Sequence, residues 1–445
     1  MSGRAPAAWF LAALVTRAAY LAAHGIVLSD DSAAYLRIAN NLVVHGSFSL
    51  DPAGVIPTVR YAPAYPAVLA ALQWLGVAPT IAVVWLQAAA DALTTALVFL
   101  MAARVAPRRW AHGAAAMYAL HPGAIAASVS VLTETLFTWL IVSAAALVTA
   151  RRGQPGLGRT AVAGGLLGIA SLGRPIGLAY VLVIAAAVAF AQWRARDVKQ
   201  TGRSSPVVEH ARSVESGIGH YLAPVVLAGA AAVVIAPWAW RSSAAAGRFV
   251  PVQAASPVLF YLPTRTDWDQ RDQAALWPAF VQADPYGRLF TTARTPREMI
   301  DADAVGRRLA VENIRRHPGD YLRSRLKTVP YLVLTSFDTF TGRTTSFGAA
   351  IAGRDWIALA TKLGLMALFC ALPLCLAVAG ALTRPHDLTT VLAVSLWIST
   401  LILHLPMWIE PRFWLPAVPF VLITAAHAAY RRSPAPFAPD RQERL

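Results

Sequence analysis

The feature that most limits what this chain can fold into is a recurring run of about twenty apolar residues, the length that crosses a bilayer as one helix. Such runs fall at roughly 7–28, 83–103, 111–130, 132–150, 160–174, 176–193, 219–240, 356–382, 388–408 and 412–430. No water reaches that depth, so each run has to satisfy its own backbone N–H and C=O groups by coiling. Composition agrees: 57% of the 445 residues are hydrophobic and 14% are charged, too apolar for a soluble domain. The expected fold is an all-α polytopic membrane protein with about 10 transmembrane helices. Arg174-Pro175 divides the long apolar stretch 160–193 and marks it as a hairpin of two spans.

Charge then orients the spans. The connections "RVAPRRW", "ARRG", "RARDVKQTGR" and "YRRS" are rich in arginine and fall on one side of the alternation, which the positive-inside rule makes cytoplasmic. Two longer segments, 29–66 and 241–355, are left facing outward. The chain divides into an N-terminal membrane module (1–240), an outer region with interfacial helices (241–355), C-terminal membrane helices (356–432) and a cytoplasmic tail (433–445). The stretch "DYLRSRLKTVPYLVLTSF" reads as interfacial, because an extra span there would put "YRRS" outside. The N-terminus has no small-residue cleavage site and reads as a retained first span. Both termini are expected on the cytoplasmic side of a bacterial plasma membrane.

These assignments exclude several functions. The formal charge of +16 lies between apolar runs, so it signals topology and not a nucleic-acid surface. Cys370 and Cys375 share one apolar stretch and indicate neither a disulfide nor a metal site. Gly164 and Gly168, four residues apart in "GGLLGIASLG", suit close helix packing better than phosphate cradling. The polar segment 194–218 carries no nucleotide motif, which leaves the chemistry to the outer side.

Polar residues collect there. In "LSDDSAAYLRIANNL", Ser29 or Asp30 is a natural N-cap, and Asp31, Tyr35, Ile38 and Leu42 share one face of an amphipathic helix. Asp31 either complements the helix dipole or is a carboxylate held at the lipid–water boundary. Glu134 enters the fourth span near its outer end, where an acid is functional unless it partners a neighbouring arginine. Arg174, Arg241 and Arg412 end or begin spans on the side that disfavours them, a pattern that points to an anion such as a phosphate. Asp91, mid-span, is either satisfied by Gln87, Thr94 and Thr95 or functional.

The ordered stretches "DDSAAYLRIANNLVVHG", "RYAPAYPAVLAAL", "HPGAIAASVSVLTETLF", "GRPIGL", "APWAWRSSAAAGRFVPV", "IRRHPGDYL" and "EPRFWLPAVPF" resemble the bacterial membrane glycosyltransferases of the C-type fold. These are the dolichyl-phosphate-mannose–protein mannosyltransferase-like group, which includes the aminoarabinose transferases of lipid A. The resemblance runs from residue 5 to about 430. It implies that Asp31, four residues ahead of Tyr35, is the catalytic base. Ser32 stands where the group often has Glu, so that second acid is displaced to Asp30 or lost. It also implies substrate-binding roles for Tyr35, Arg60, Tyr61, Glu134, Arg174, Arg241, Glu410 and Arg412. The asparagine that usually follows Arg241 is here Ser242. Some members bind a divalent cation, the one cofactor left open, although no His/Asp cluster here demands it.

The chemistry fits these residues. A glycosidase needs a second carboxylate to protonate its leaving alcohol, whereas a sugar on a polyprenyl phosphate already carries a good leaving group. One base for the acceptor hydroxyl and one or two arginines for the departing phosphate suffice. The expectation is an inverting transferase that moves a sugar from a polyprenyl-phosphate donor to a lipid, glycan or protein acceptor. A transporter, or a polymerase or ligase using lipid-linked substrates, is the alternative; a transporter would concentrate ionisable groups near the midplane.

Overall fold

The structure, a computed structural model, describes residues 4–150, 156–200, 222–254, 258–267, 273–335, 337–341, 347–383 and 387–432. The arginines of "ARRG", the segment 201–218 and the tail 433–445 lie outside the described residues.

Every described element of regular length is a helix. The first half carries α1 (Arg4–His24), α2 (Asp30–His45), α3 (Ala64–Trp74), α4 (Pro79–Val105), α5 (Arg108–Ala119), α6 (Pro122–Ser128), α7 (Glu134–Val148), α8 (Leu157–Gly173), α9 (Gly177–Gln200) and α10 (Ala223–Ala246). Short helices α11 (Val258–Tyr261), α12 (Gln273–Ala283) and α13 (Pro285–Thr292) lead to α14 (Pro296–Arg316) and α15 (Pro318–Val333). After α16 (Asp338–Thr341) and α17 (Phe347–Ala352), α18 (Trp356–Met366) joins α19 (Leu372–Ala381) through a π-helical turn. The chain closes with α20 (Leu388–His404), a 3₁₀ segment (Pro411–Ala417) and α21 (Val418–Arg432). Among the described residues five helices are long and apolar enough to cross a membrane, and four shorter apolar ones accompany them. The protein is an all-α polytopic membrane protein.

Burial separates the centre of the bundle from its rim. The spans containing α4 and α21 are mostly buried, while α1, α10 and α18–α19 present most of their apolar surface outward, as lipid-facing helices do. Gly164 and Gly168 let α8 lie directly on α10: a Cβ on Gly164 would stand 2.2 Å from the Leu227 carbonyl oxygen, and one on Gly168 would stand 2.9 Å from that of Ala231.

The stretch expected as one span at 111–130 is broken. Pro122 has no N–H to give and its ring crowds the preceding turn, so α5 ends at Ala119. His121 Nδ1 accepts from the Ala124 N–H and caps α6 instead. The break leaves the Tyr118 and Ala119 carbonyls to accept from Arg17 of α1.

That arginine also settles Asp91. Arg17 Nη2 lies 2.6 Å and Nε 2.8 Å from Asp91 Oδ2, and the Tyr118 hydroxyl donates to Oδ1 at 2.7 Å. Gln87, Thr94 and Thr95 do not satisfy the Asp91 carboxylate. Gln87 accepts from Tyr65 and donates to the Ser128 and Ser130 carbonyls, and the two threonines donate to carbonyls of their own helix. Asp91 is thus half of a buried ion pair that fastens α1 to α4 and to the break.

Replacing Asp91 by Asn strands a buried guanidinium and should cost about 3–5 kcal/mol of stability. Thermal unfolding in detergent would register this as a lower Tm, largely recovered by Arg17→Met with Asp91→Leu. An unchanged Tm in Asp91→Asn would show that the pair does not hold the helices.

Candidate active site

Two backbone pairings bring the candidate residues together. The link ahead of α2 pairs with the link ahead of α7: the Val27 N–H donates to the Val129 carbonyl and the Val131 N–H to that of Val27, each at 3.0 Å. Ser29 is the N-cap of α2, and Ser29 and Ser32 form a reciprocal capping box. Ser32 is buried and also donates to the Val131 carbonyl at 2.8 Å. The serine that replaces the usual acid is therefore part of the scaffold. It holds the first turn of α2 against the start of α7, with Asp31 facing Glu134.

Four chain segments then meet on one cluster. Arg412, in the 3₁₀ segment, places Nη2 3.1 Å from Asp31 Oδ2, and its Nε reaches Glu410 Oε2 at 2.5 Å and Glu134 Oε1 at 3.5 Å. Arg174, at the C-cap of α8, lies 2.6 Å from the same Glu134 oxygen and donates to Thr133 Oγ1 at 3.2 Å. The Phe413 ring lies beneath both guanidiniums, 5.1 Å from that of Arg174 and 5.7 Å from that of Arg412. Glu134 is buried, and its Oε2 has no hydrogen-bond partner among the described residues. Asp31 differs: its side chain keeps 38% of its surface exposed. Within this cluster it is the carboxylate most open to an incoming hydroxyl.

Tyrosines wall one side. The Tyr35 ring meets Tyr61 at 5.6 Å and Tyr65 at 5.2 Å, both edge-on. Burial, then the negative charge of Asp31, keeps the Tyr35 hydroxyl protonated well above its ordinary range. The same two causes push Tyr61 up to about 12, with Asp30 adding to them and Arg60 opposing. Asp30 is exposed and is not the cap.

Two predicted residues point elsewhere. Arg241 of α10 donates to the carbonyls of Thr58 at 2.9 Å and Phe48 at 3.3 Å, stacked between Phe48 and Trp238. It anchors the 46–63 loop and does not join the cluster, which corrects its grouping with Arg174 and Arg412. Arg60 stacks on Phe290 and donates to that residue's carbonyl at 2.7 Å. Behind it lies a residue that sequence reading missed: Asp303 of α14, whose carboxyl burial pushes up to about 7 against the pull of Arg307 and Arg60.

A divalent cation has poor accommodation here. Among the described residues no group of three or more His, Cys, Asp or Glu side chains is placed to hold one. Asp31, Glu134 and Glu410 do converge, but on the Arg412 guanidinium, which occupies the position between them that a cation would take.

No family model matches the sequence, and no curated protein matches it. The fold has counterparts among solved structures. An apo Archaeoglobus fulgidus oligosaccharyltransferase is similar with a TM-score of 0.52 at 13% identity, covering 96% of this chain and 50% of that one. The oligosaccharyltransferase AglB from the same organism, in complex with an inhibitory peptide and a dolichol-phosphate, gives 0.50 at 14% identity over 94% and 50%. ArnT from Cupriavidus metallidurans, bound to undecaprenyl phosphate, gives 0.39 at 14% over 97% and 79%, too loose to set residues against one another. The chain spans about half the length of the oligosaccharyltransferases it matches. What it shares with them is the C-type fold of membrane glycosyltransferases.

The buried acid behind Arg60 gives a pH test. A carboxyl whose folded pKa is raised favours folding fully below its ordinary value near 4, and that contribution is lost as pH rises through about 7. Asp303→Asn is neutral at every pH. It should raise Tm by a few degrees at about pH 8 and leave it unchanged near pH 4, measured by differential scanning fluorimetry. An equal Tm difference at both pH values would contradict the assignment.

Proposed function

Taking the C-type fold as given, we propose that the protein is an inverting glycosyltransferase. It moves a sugar from a polyprenyl-phosphate donor to a lipid, glycan or protein acceptor at the outer face of a bacterial plasma membrane. The observation that carries this reading is the placement of one accessible carboxylate, Asp31, beside two arginines that Glu134 ties together. Asp31 takes the proton of the acceptor hydroxyl as its oxygen bonds to the anomeric carbon. The bond from that carbon to the phosphate oxygen breaks from the opposite face, so the configuration inverts. The polyprenyl phosphate leaves with the electron pair. Its growing charge is met by Arg412 and Arg174, whose donors not engaged by Asp31, Glu134, Glu410 or Thr133 are available to it.

Glu134 has a different task. It is buried, and both arginines bind the same one of its oxygens, so it sets the spacing between them and is not a second base. Tyr35 and Tyr61, kept protonated, offer a neutral aromatic wall for the sugar. The dolichol-phosphate in the AglB complex supports a phosphate-linked lipid as donor. The outward orientation rests on the arginine-rich connections at Arg104, Arg108 and Arg109, between α4 and α5, and at Arg431 and Arg432, where α21 ends, all at the opposite end of the bundle from Asp31. The transporter alternative loses its main support, because Asp91 is neutralised by Arg17.

The experiment is a transfer assay on purified variants with a polyprenyl-phosphate sugar. Asp31→Asn keeps the shape and loses basicity, and should slow transfer by about 10²–10⁴-fold. Arg412→Lys and Arg174→Lys keep charge and lose the planar fork, costing roughly 30- to 1,000-fold. Arg241→Lys should lower Tm while the rate per folded molecule stays close to that of the parent. Near-normal turnover in Asp31→Asn would refute the base assignment. A rate loss confined to Arg241→Lys would move the phosphate site to α10.

A further inference from the structure

Helix α15 turns two unlike faces to its surroundings. One face is fastened to the site end of the bundle: the Tyr321 hydroxyl donates to the Pro406 carbonyl at 3.1 Å, and Arg325 Nη1 donates to that of Met407 at 2.8 Å. Arg325 and Leu332 are buried on that side. The neighbouring arc, about 100° around the helix, carries Leu322 and Leu326, 58% and 59% exposed and one turn apart, with Arg323 and Lys327 exposed beyond them, opposite the fastened face. Leucines exposed to this degree are unfavourable in water. Their helix is tied to the end of α20, an apolar helix, so the leucines lie where a bilayer surface would cover them. Arg315 and Arg316 at the end of α14 precede the basic pair, Arg316 held by Glu312, with Asp320 as the exposed acid of the turn.

We propose that this face of α15, with the end of α14, is a docking surface for the anionic headgroups of phospholipids in the surrounding bilayer. Leu322 and Leu326 enter the acyl boundary, and Arg323 and Lys327 reach the phosphates. Exposed apolar and basic side chains alternating on one helix arc match a charged lipid surface better than a soluble anion, which would have no use for the leucines. The surface has a direct line to the catalytic cluster. Pro406 and Met407, which accept the bonds from α15, lie a few residues before Glu410 and Arg412, and the Trp408 N–H is fixed to the Leu259 carbonyl at 2.6 Å. Headgroup binding therefore steadies the segment that presents Arg412. This consequence rests on the function proposed above; the binding itself does not.

Hydrogen–deuterium exchange of the full-length protein in nanodiscs separates the two. Amides of 320–328 should exchange at least about fivefold more slowly in phosphatidylcholine discs containing phosphatidylglycerol than in phosphatidylcholine alone, since one basic side chain near an anionic surface is worth about that factor. Arg323→Gln with Lys327→Gln should remove most of the difference. Leu322→Ser with Leu326→Ser should speed exchange in both discs. Unchanged amides in α4 report that each variant is folded. Equal exchange in the two discs would overturn the proposal, as would a lipid effect that survives the double Gln variant. Equal protection by inorganic phosphate added to phosphatidylcholine discs would also overturn it, making the occupant a phosphate outside the bilayer. A lipid effect in a protein without transfer activity would leave this surface standing and refute the function alone.

Discussion

A carboxylate buried within a membrane protein needs a fixed positive charge beside it, and the arrangement of this protein follows from meeting that need twice. At the site end, Glu134 is buried and is matched by Arg174 and Arg412 on the same oxygen, which draws together the starts of α7 and α21 and the end of α8. Asp31 joins through Arg412 and remains partly open to solvent. Deeper in the bundle, Asp91 is matched by Arg17, with the Thr16 hydroxyl and carbonyls released at the α5–α6 break taking other donors of that arginine. The two clusters use the same chemistry to opposite ends. The deep one is closed on every side and locks helices; the shallow one keeps one carboxylate accessible beside two guanidiniums.

How much of this was legible in the amino acids depends on the range of each interaction. Glu134, Arg174 and Arg412 stand out because each carries a charge where a membrane span disfavours it, Asp31 because it opens an amphipathic surface helix, and the structure gathers all four. A cap at Ser29 or Asp30 is legible because capping is local; the structure assigns it to Ser29, completed by Ser32. Arg241 carries the same mark as the other two arginines, and its aromatic neighbours look like shielding for a ligand. Its acceptors are instead the Phe48 and Thr58 carbonyls, and backbone oxygens leave no trace in a residue string. Asp91 stays open between packing and function in the sequence for the same reason: its partner comes from α1, while the candidates near it on α4 are occupied elsewhere. The break at Pro122 was within reach of a proline rule, but the surrounding apolar run of span length outweighed it.

The cluster's charge bears on how it can work. Three carboxylates, Asp31, Glu134 and Glu410, surround two arginines, so the ionised set carries one negative charge in excess before any donor arrives. A bound phosphate adds to that excess and competes with the carboxylates for the arginines. Weak binding of the ground-state donor, followed by a tighter grip as charge builds on the leaving phosphate, is the differential binding that catalysis requires. The bonds from α15 to residues 406–407 brace the segment that carries both Glu410 and Arg412.

The proposed mechanism sets the donor's phosphate against Arg412 and Arg174 with Asp31 facing the anomeric carbon. An experimental structure of the Asp31→Asn variant with a polyprenyl-phosphate sugar bound tests this. Phosphate oxygens are expected within hydrogen-bonding distance of Arg412 or Arg174, with residue 31 on the opposite face of the sugar from the phosphate. A phosphate held at Arg241, or a sugar ring out of reach of residue 31, would contradict it.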